Sequence, residues 1–173
     1  MSKTTENLKA AFAGESQARN KYTFFANVAR KEGYHYIAKI FEETAFNEMR
    51  HAKDHLMLLG GISDTLTNLK KAMGGEDYEV ENMYPQFAKE AKEEGQTEAQ
   101  IAFEQVAKIE AHHRARYQKL VDMVEAGTVY KREQPIKWKC GICGYIVEGT
   151  EPPPKCPSCK HPKEFYEPAN MDF

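Results

Sequence analysis

The four cysteines of this 173-residue chain all lie near its end, as Cys140-Gly-Ile-Cys143 and Cys156-Pro-Ser-Cys159. Two C-x-x-C pairs joined by a segment rich in Gly and Pro can turn four thiolates toward one ion in a tetrahedron, so the first chemistry on offer is metal binding. Disulfides are the competing use of such pairs. The start Met-Ser-Lys-Thr-Thr-Glu, however, has no hydrophobic signal region to route the chain to an oxidising compartment. Zinc and iron both accept four sulfurs in this arrangement, and spacing alone leaves open a structural zinc staple or a redox iron centre. The neighbours tilt the reading toward iron. Gly141, Gly144, Pro157 and Ser158 are small enough for backbone N–H groups to approach the sulfurs, and Trp138 and Phe165 can shield the site.

A second constellation lies upstream. Glu48-Met-Arg-His51 and Glu110-Ala-His-His113 each place a carboxylate and an imidazole three residues apart, on one face if the segment is helical. One such pair means little in a chain with 26 acidic residues and 6 histidines. Two pairs mean more, because each has a lone carboxylate upstream: Glu15 lies 33 residues before Glu48, and Glu79 lies 31 before Glu110. The region therefore reads as two copies of one helical hairpin. Four carboxylates and two histidines form the usual donor set of a di-iron or di-manganese bundle. Six groups buried as ion pairs are the bland alternative, and ionisable groups inside an apolar stripe are costly without a neutralising partner.

The elements that must position these groups follow from the apolar periodicity and the glycines. Helices are expected over 4–31, 35–59, 77–94 and 97–126, punctuated by Gly33, Gly60-Gly61, Gly74-Gly75 and Gly95, with Thr97 and Gln100 as a capping box. The segment from Gly60 to Glu76 is long enough to cross a bundle, the connection of a ferritin-like four-helix fold. The expected organisation is mainly α: a ferritin-like bundle over 1–126, a linker over 127–135 and a small β/loop metal domain over 136–173. Net charge is −2 with no basic patch, which argues against nucleic acid, and no apolar run approaches the ~18 residues of a membrane span. A cytoplasmic protein is expected. His55 is read as a satisfied histidine, His112 as solvated, and His35 and His161 as lacking a ligand partner at helical spacing.

The segment from about 136 to 170 resembles rubredoxin, which implies a mononuclear iron carrying single electrons; Lys160 stands where rubredoxins commonly have glycine. Ala13-Gly14-Glu15-Ser16-Gln17-Ala18, the two E-x-x-H motifs, Glu79 to Met83-Tyr84-Pro85 and the four-cysteine module together resemble the rubrerythrin family over nearly the whole chain. That resemblance implies a non-haem di-iron site held by Glu15, Glu48, His51, Glu79, Glu110 and His113, with Tyr22 hydrogen-bonding a ligand carboxylate. It implies an iron at Cys140, Cys143, Cys156 and Cys159, and reduction of hydrogen peroxide to water. It also implies an electron donor such as a rubredoxin or an NAD(P)H-dependent rubredoxin reductase, and a homodimer. The family carries a second glutamate three residues after the first in the third helix, and at that distance from Glu79 this chain has Asn82, so the site is expected to be one carboxylate short and His51 to stay bound in both redox states. The alternative activity is ferritin-like oxidation and handling of ferrous iron. An attached one-electron carrier favours the peroxidase.

Overall fold

The first helix begins where Ser2 accepts a hydrogen bond from the Thr5 backbone N–H at 3.2 Å, satisfying a donor that the helix cannot. In the computed structural model, which describes residues 2–169, this helix α1 spans Lys3–Lys31 and α2 spans His35–Leu58, within one residue of expectation. Between them Gly33 adopts φ +85°, which lets the Tyr34 N–H reach back to the Ala29 carbonyl at 2.8 Å and closes a tight hairpin. Ala26, Ala29 and Ala38 are buried where α1 packs along α2, and small side chains there allow close approach. The two helices lie in a compact unit, Met1–Asp64.

The second unit, Thr65–Phe173, starts earlier in helix than its sequence suggests. Helix α3 spans Thr65–Tyr78, running through the Gly74-Gly75 pair expected to precede the helix. Two interior glycines cost about 1 kcal/mol each relative to alanine, but α3 packs on a long partner, and packing outweighs propensity. A Cβ at either glycine would meet nothing within 4 Å, so close packing does not explain them. A single π turn, Glu79–Met83, then leads into α4, Tyr84–Glu93. The Tyr84 N–H bonds the Glu79 carbonyl, five residues back, and this wider turn precedes Pro85, which lacks an N–H and would crowd a regular α turn.

Helix α5 spans Thr97–Glu125 and packs against both α3 and α4. The expected capping box does not form. Gln96, not Thr97, is the N-cap, because Gly95 at φ +71° and a Gln96 N–H to Ala91 carbonyl bond of 2.8 Å turn the chain directly into α5.

Beyond α5 come three short strands, β1 Ile136–Cys140, β2 Ile146–Gly149 and β3 Tyr166–Pro168, in the antiparallel order β2-β1-β3. Trp138, Cys140, Cys156 and Tyr166 form their buried core. Residues 127–135 are tied to this module rather than loose. The Arg132 N–H bonds the Thr150 carbonyl at 2.8 Å, its guanidinium lies 5.2 Å from the Trp138 ring centroid, and the Tyr130 hydroxyl donates to the Glu164 carbonyl at 3.1 Å. The mainly α architecture with a small β/loop module is the one expected. Among the described residues no helix is long and apolar enough to cross a membrane.

Candidate metal centres

Three donors converge in the α1–α2 hairpin. Glu15, Glu48 and His51 each bring one ligand atom within 4.8 Å of the others. His51 Nδ1 lies 2.8 Å from Glu48 Oε2, its neighbour one helical turn back, and 3.9 Å from Glu15 Oε1 across the hairpin. Tyr22, two turns beyond Glu15, packs its half-buried ring on Phe25 and Phe41 with centroids 6.2 Å away in both cases.

The second hairpin repeats the arrangement, with one correction to the ligand read from the sequence. Glu76, not Glu79, converges with Glu110 and His113 within 4.8 Å. His113 Nδ1 lies 2.5 Å from Glu110 Oε2 and 3.6 Å from Glu76 Oε2. Burial raises the Glu76 carboxyl above its ordinary range, and the hydrogen bond to Glu110 and the charges of Glu110 and Glu79 add to the shift, partly offset by His113. Glu79 sits in the π turn, half-buried, close enough for its charge to act on Glu76 and on Tyr84. The pair of glutamates three residues apart in this segment is thus Glu76 and Glu79. Asn82 is an exposed residue of the π turn.

The signal that could have found Glu76 is the register of the repeat. Adding 62 to Tyr22, Phe25, Ala29, Gly33, Phe41, Glu48 and His51 gives Tyr84, Phe87, Ala91, Gly95, Phe103, Glu110 and His113, whereas Glu15 maps to Glu76 with an offset of 61. The one-residue difference is the extra residue of the π turn. Side-chain geometry follows the same register: Phe25 and Phe41 have centroids 5.8 Å apart, Phe87 and Phe103 5.6 Å, and Tyr84 stacks at 6.2 Å from Phe103 as Tyr22 does from Phe41. Burial, followed by the charges of Glu79, Glu110 and Glu76, holds the Tyr84 phenol protonated above its usual range. His55, expected to be satisfied, instead has a buried Nδ1 without a partner among the described residues.

In the module the four sulfurs lie within 4.8 Å of one another, with Cys140 to Cys159 and Cys143 to Cys156 both at 3.7 Å. A disulfide needs about 2.05 Å, whereas a tetrahedral ion with metal–sulfur bonds of about 2.3 Å gives edges of about 3.8 Å. The sulfurs therefore fit one ion, and all four cysteines are free thiols. Burial opposes ionisation of Cys156, yet N–H groups of Cys159 and Ser158 and the Tyr166 hydroxyl outweigh it and pull the thiol down to about 6. The His161 N–H favours the Cys159 thiolate, but burial and the three neighbouring sulfurs push that thiol up to about 12. Four thiolates cannot coexist here without a cation to neutralise them. The hairpin donor sets, two carboxylates and an imidazole each, suit iron or manganese on the same ground.

A family model described as "Rubrerythrin" matches residues 6–121, and one described as "Rubrerythrin, rubredoxin-like domain" matches residues 138–167. The chain is 47% identical to a rubrerythrin of Clostridium perfringens, covering 95% of this chain and 93% of that one. It is 44% identical to a rubrerythrin of Porphyromonas gingivalis, covering 99% and 92%. Among solved structures it matches partially reduced nigerythrin at 36% identity and a TM-score of 0.38, over 97% of this chain and 87% of that chain.

Proposed function

The chain belongs to the rubrerythrin family of di-iron oxidoreductases with a rubredoxin-like iron domain, and on that footing we propose that it is a peroxidase reducing hydrogen peroxide to water. The supporting observation is the presence in one chain of two Glu/Glu/His donor sets on a duplicated hairpin and of four sulfurs spaced for one ion. A storage protein has little use for an attached one-electron carrier, whereas a peroxidase must be re-reduced after every turnover. In this reading Glu15, Glu48, His51, Glu76, Glu110 and His113 hold the iron pair, with Glu79 as a further carboxylate, and Cys140, Cys143, Cys156 and Cys159 hold the single iron. When bound, the paired irons supply the electrons that split the O–O bond and the four-sulfur iron supplies single electrons to replace them.

The remaining chemistry is proton delivery, because forming two waters from one peroxide takes up two protons. Tyr84, kept protonated beside Glu79, Glu110 and Glu76, is placed to hold one at the site, and Tyr22 occupies the matching position in the first hairpin, where its hydroxyl would bond a ligand carboxylate. Cys143 is the exposed ligand of the module and offers an edge for electron entry from a rubredoxin or an NAD(P)H-dependent rubredoxin reductase. A homodimer is supported by apolar side chains left in solvent, among them Phe24, Phe46 and Leu58, each more than 60% exposed. A cytoplasmic site of action completes the proposal.

Stopped-flow mixing of the anaerobically reduced protein with hydrogen peroxide or with oxygen tests it. Faster oxidation by peroxide is expected. Equal or faster oxidation by oxygen would move the assignment to iron handling.

A further inference from the structure

The residue after His113 reaches from α5 back to the segment that carries Glu76 and Glu79. Arg114 Nη1 donates to Asp77 Oδ1 at 2.7 Å and to Glu81 Oε1 at 2.8 Å. Asp77 is the last residue but one of α3 and Glu81 is the middle residue of the π turn, so the two anchors bracket Glu79 at two residues on either side. Two residues are about half a helical turn, which puts the anchors on one edge of the segment and Glu79 on the opposite edge. The first hairpin lacks the residues for such a clamp. Subtracting 62 from Arg114 gives Ala52, which is buried, and subtracting 61 from Asp77 gives Ser16, whose hydroxyl bonds the Phe12 carbonyl of its own helix at 2.7 Å.

The clamped segment has little rigidity of its own. Upstream, Gly74 and Gly75 bring no side chains to pack, and downstream Pro85 has no N–H with which to close the turn. A rotation of the turn about its axis would carry Glu79 away from Glu76 and Tyr84, on both of which its charge acts. We propose, on the di-iron reading above, that Arg114 is a positioning residue: by bridging Asp77 and Glu81 it fixes the rotation of the π turn and so holds the Glu79 carboxylate at the metal pair. A carboxylate at the pair stabilises the ferric state over the ferrous one, so release of Glu79 raises the reduction potential. Loss of the Arg114 charge alone, a cation taken from beside the pair, would lower it. Positioning and plain charge therefore predict shifts of opposite sign.

The test uses the full-length protein, isotopically enriched in iron and poised at fixed potentials, with Mössbauer spectroscopy to count ferrous and ferric iron of the pair apart from the four-sulfur iron. In Arg114→Ala the ferrous-to-ferric ratio of the pair should rise about tenfold at a given potential, with iron per chain unchanged. Glu79→Ala should give the same rise. The double variant should rise no further than either single one, because both changes remove the same carboxylate from the same place. Arg114→Lys should recover most of the shift, since one nitrogen of Arg114 serves both carboxylates and an ammonium can do the same. Arg116→Ala, which removes an exposed charge two residues on, should not raise the ratio. An unchanged or lowered ratio in Arg114→Ala, or a further tenfold rise in the double variant, would overturn the proposal. Protein that purifies without paired iron would instead overturn the di-iron reading beneath it.

Discussion

The two hairpins carry the same instructions with one residue's difference. Both close on a positive-φ glycine, Gly33 and Gly95, both stack a tyrosine on two phenylalanines, and both present Glu, Glu and His. The second alone has a π turn, and the residue it adds lets Glu76 keep the place of Glu15 while Tyr84 keeps the place of Tyr22. The same turn carries Glu79, for which the first hairpin has Gln17 or Ala18 at the neighbouring repeat positions. A duplicated scaffold thus acquires an unequal pair of donor sets: one with two carboxylates, the other with a third beside them. Local helix irregularity at a functional site has here a specific effect, since it adds a ligand candidate without disturbing the packing register.

The most damaging way to break the equivalence is to remove the shared carboxylates. Glu48→Ala and Glu110→Ala should each lower bundle iron affinity and peroxide turnover by about 100-fold or more, above the usual 10–100-fold of outer partners, as measured by metal analysis and steady-state assay. Similar losses in the two variants would show that the hairpins contribute as equals.

Deleting Val80 from the π turn sharpens the comparison. Removing the extra residue brings Glu76 one position closer to Tyr84, the spacing of Glu15 to Tyr22, so the segment should close as a regular α turn with Glu76 still beside Glu110 and His113. Iron content should therefore stay well above that of Glu110→Ala, with far-ultraviolet circular dichroism showing that helix content is retained.

Packing gives a smaller effect. Phe41→Ala and Phe103→Ala remove matching members of the two aromatic trios, and each should cost about 2–3 kcal/mol, below the range for a fully buried Phe because both rings are half-buried. Chemical denaturation of the two variants should agree within about 1 kcal/mol.

The smallest effect is on pH dependence. Burial and then Glu110 raise the Glu76 carboxyl, so the folded metal-free chain binds that proton more tightly than the unfolded chain. Stability of the metal-free protein should therefore fall as pH rises from the ordinary value of 4.5 through the raised one, and level off above it. Glu76→Gln should flatten this slope in thermal melts.

Much of this was legible in the residues themselves. The cysteine pairs, both E-x-x-H motifs and the hairpin repeat are patterns of type and spacing, and the structure brings Glu15, Glu48 and His51 together as that spacing implies. What escaped was register. Gly74-Gly75 reads as a break, and a helix starting at 77 leaves Glu76 outside it; the structure runs helix through both glycines. The π turn has no sequence signature beyond the nearby Pro85, and only the 61 against 62 offset betrays it.

Iron counted per chain in Glu76→Ala, Glu79→Ala and the unaltered protein tests the central claim most directly. The account predicts that Glu76→Ala loses the paired iron and keeps only the four-cysteine iron with its visible colour, while Glu79→Ala retains the pair. Full iron in Glu76→Ala together with loss of the pair in Glu79→Ala would contradict it and restore Glu79 as the ligand that matches Glu15.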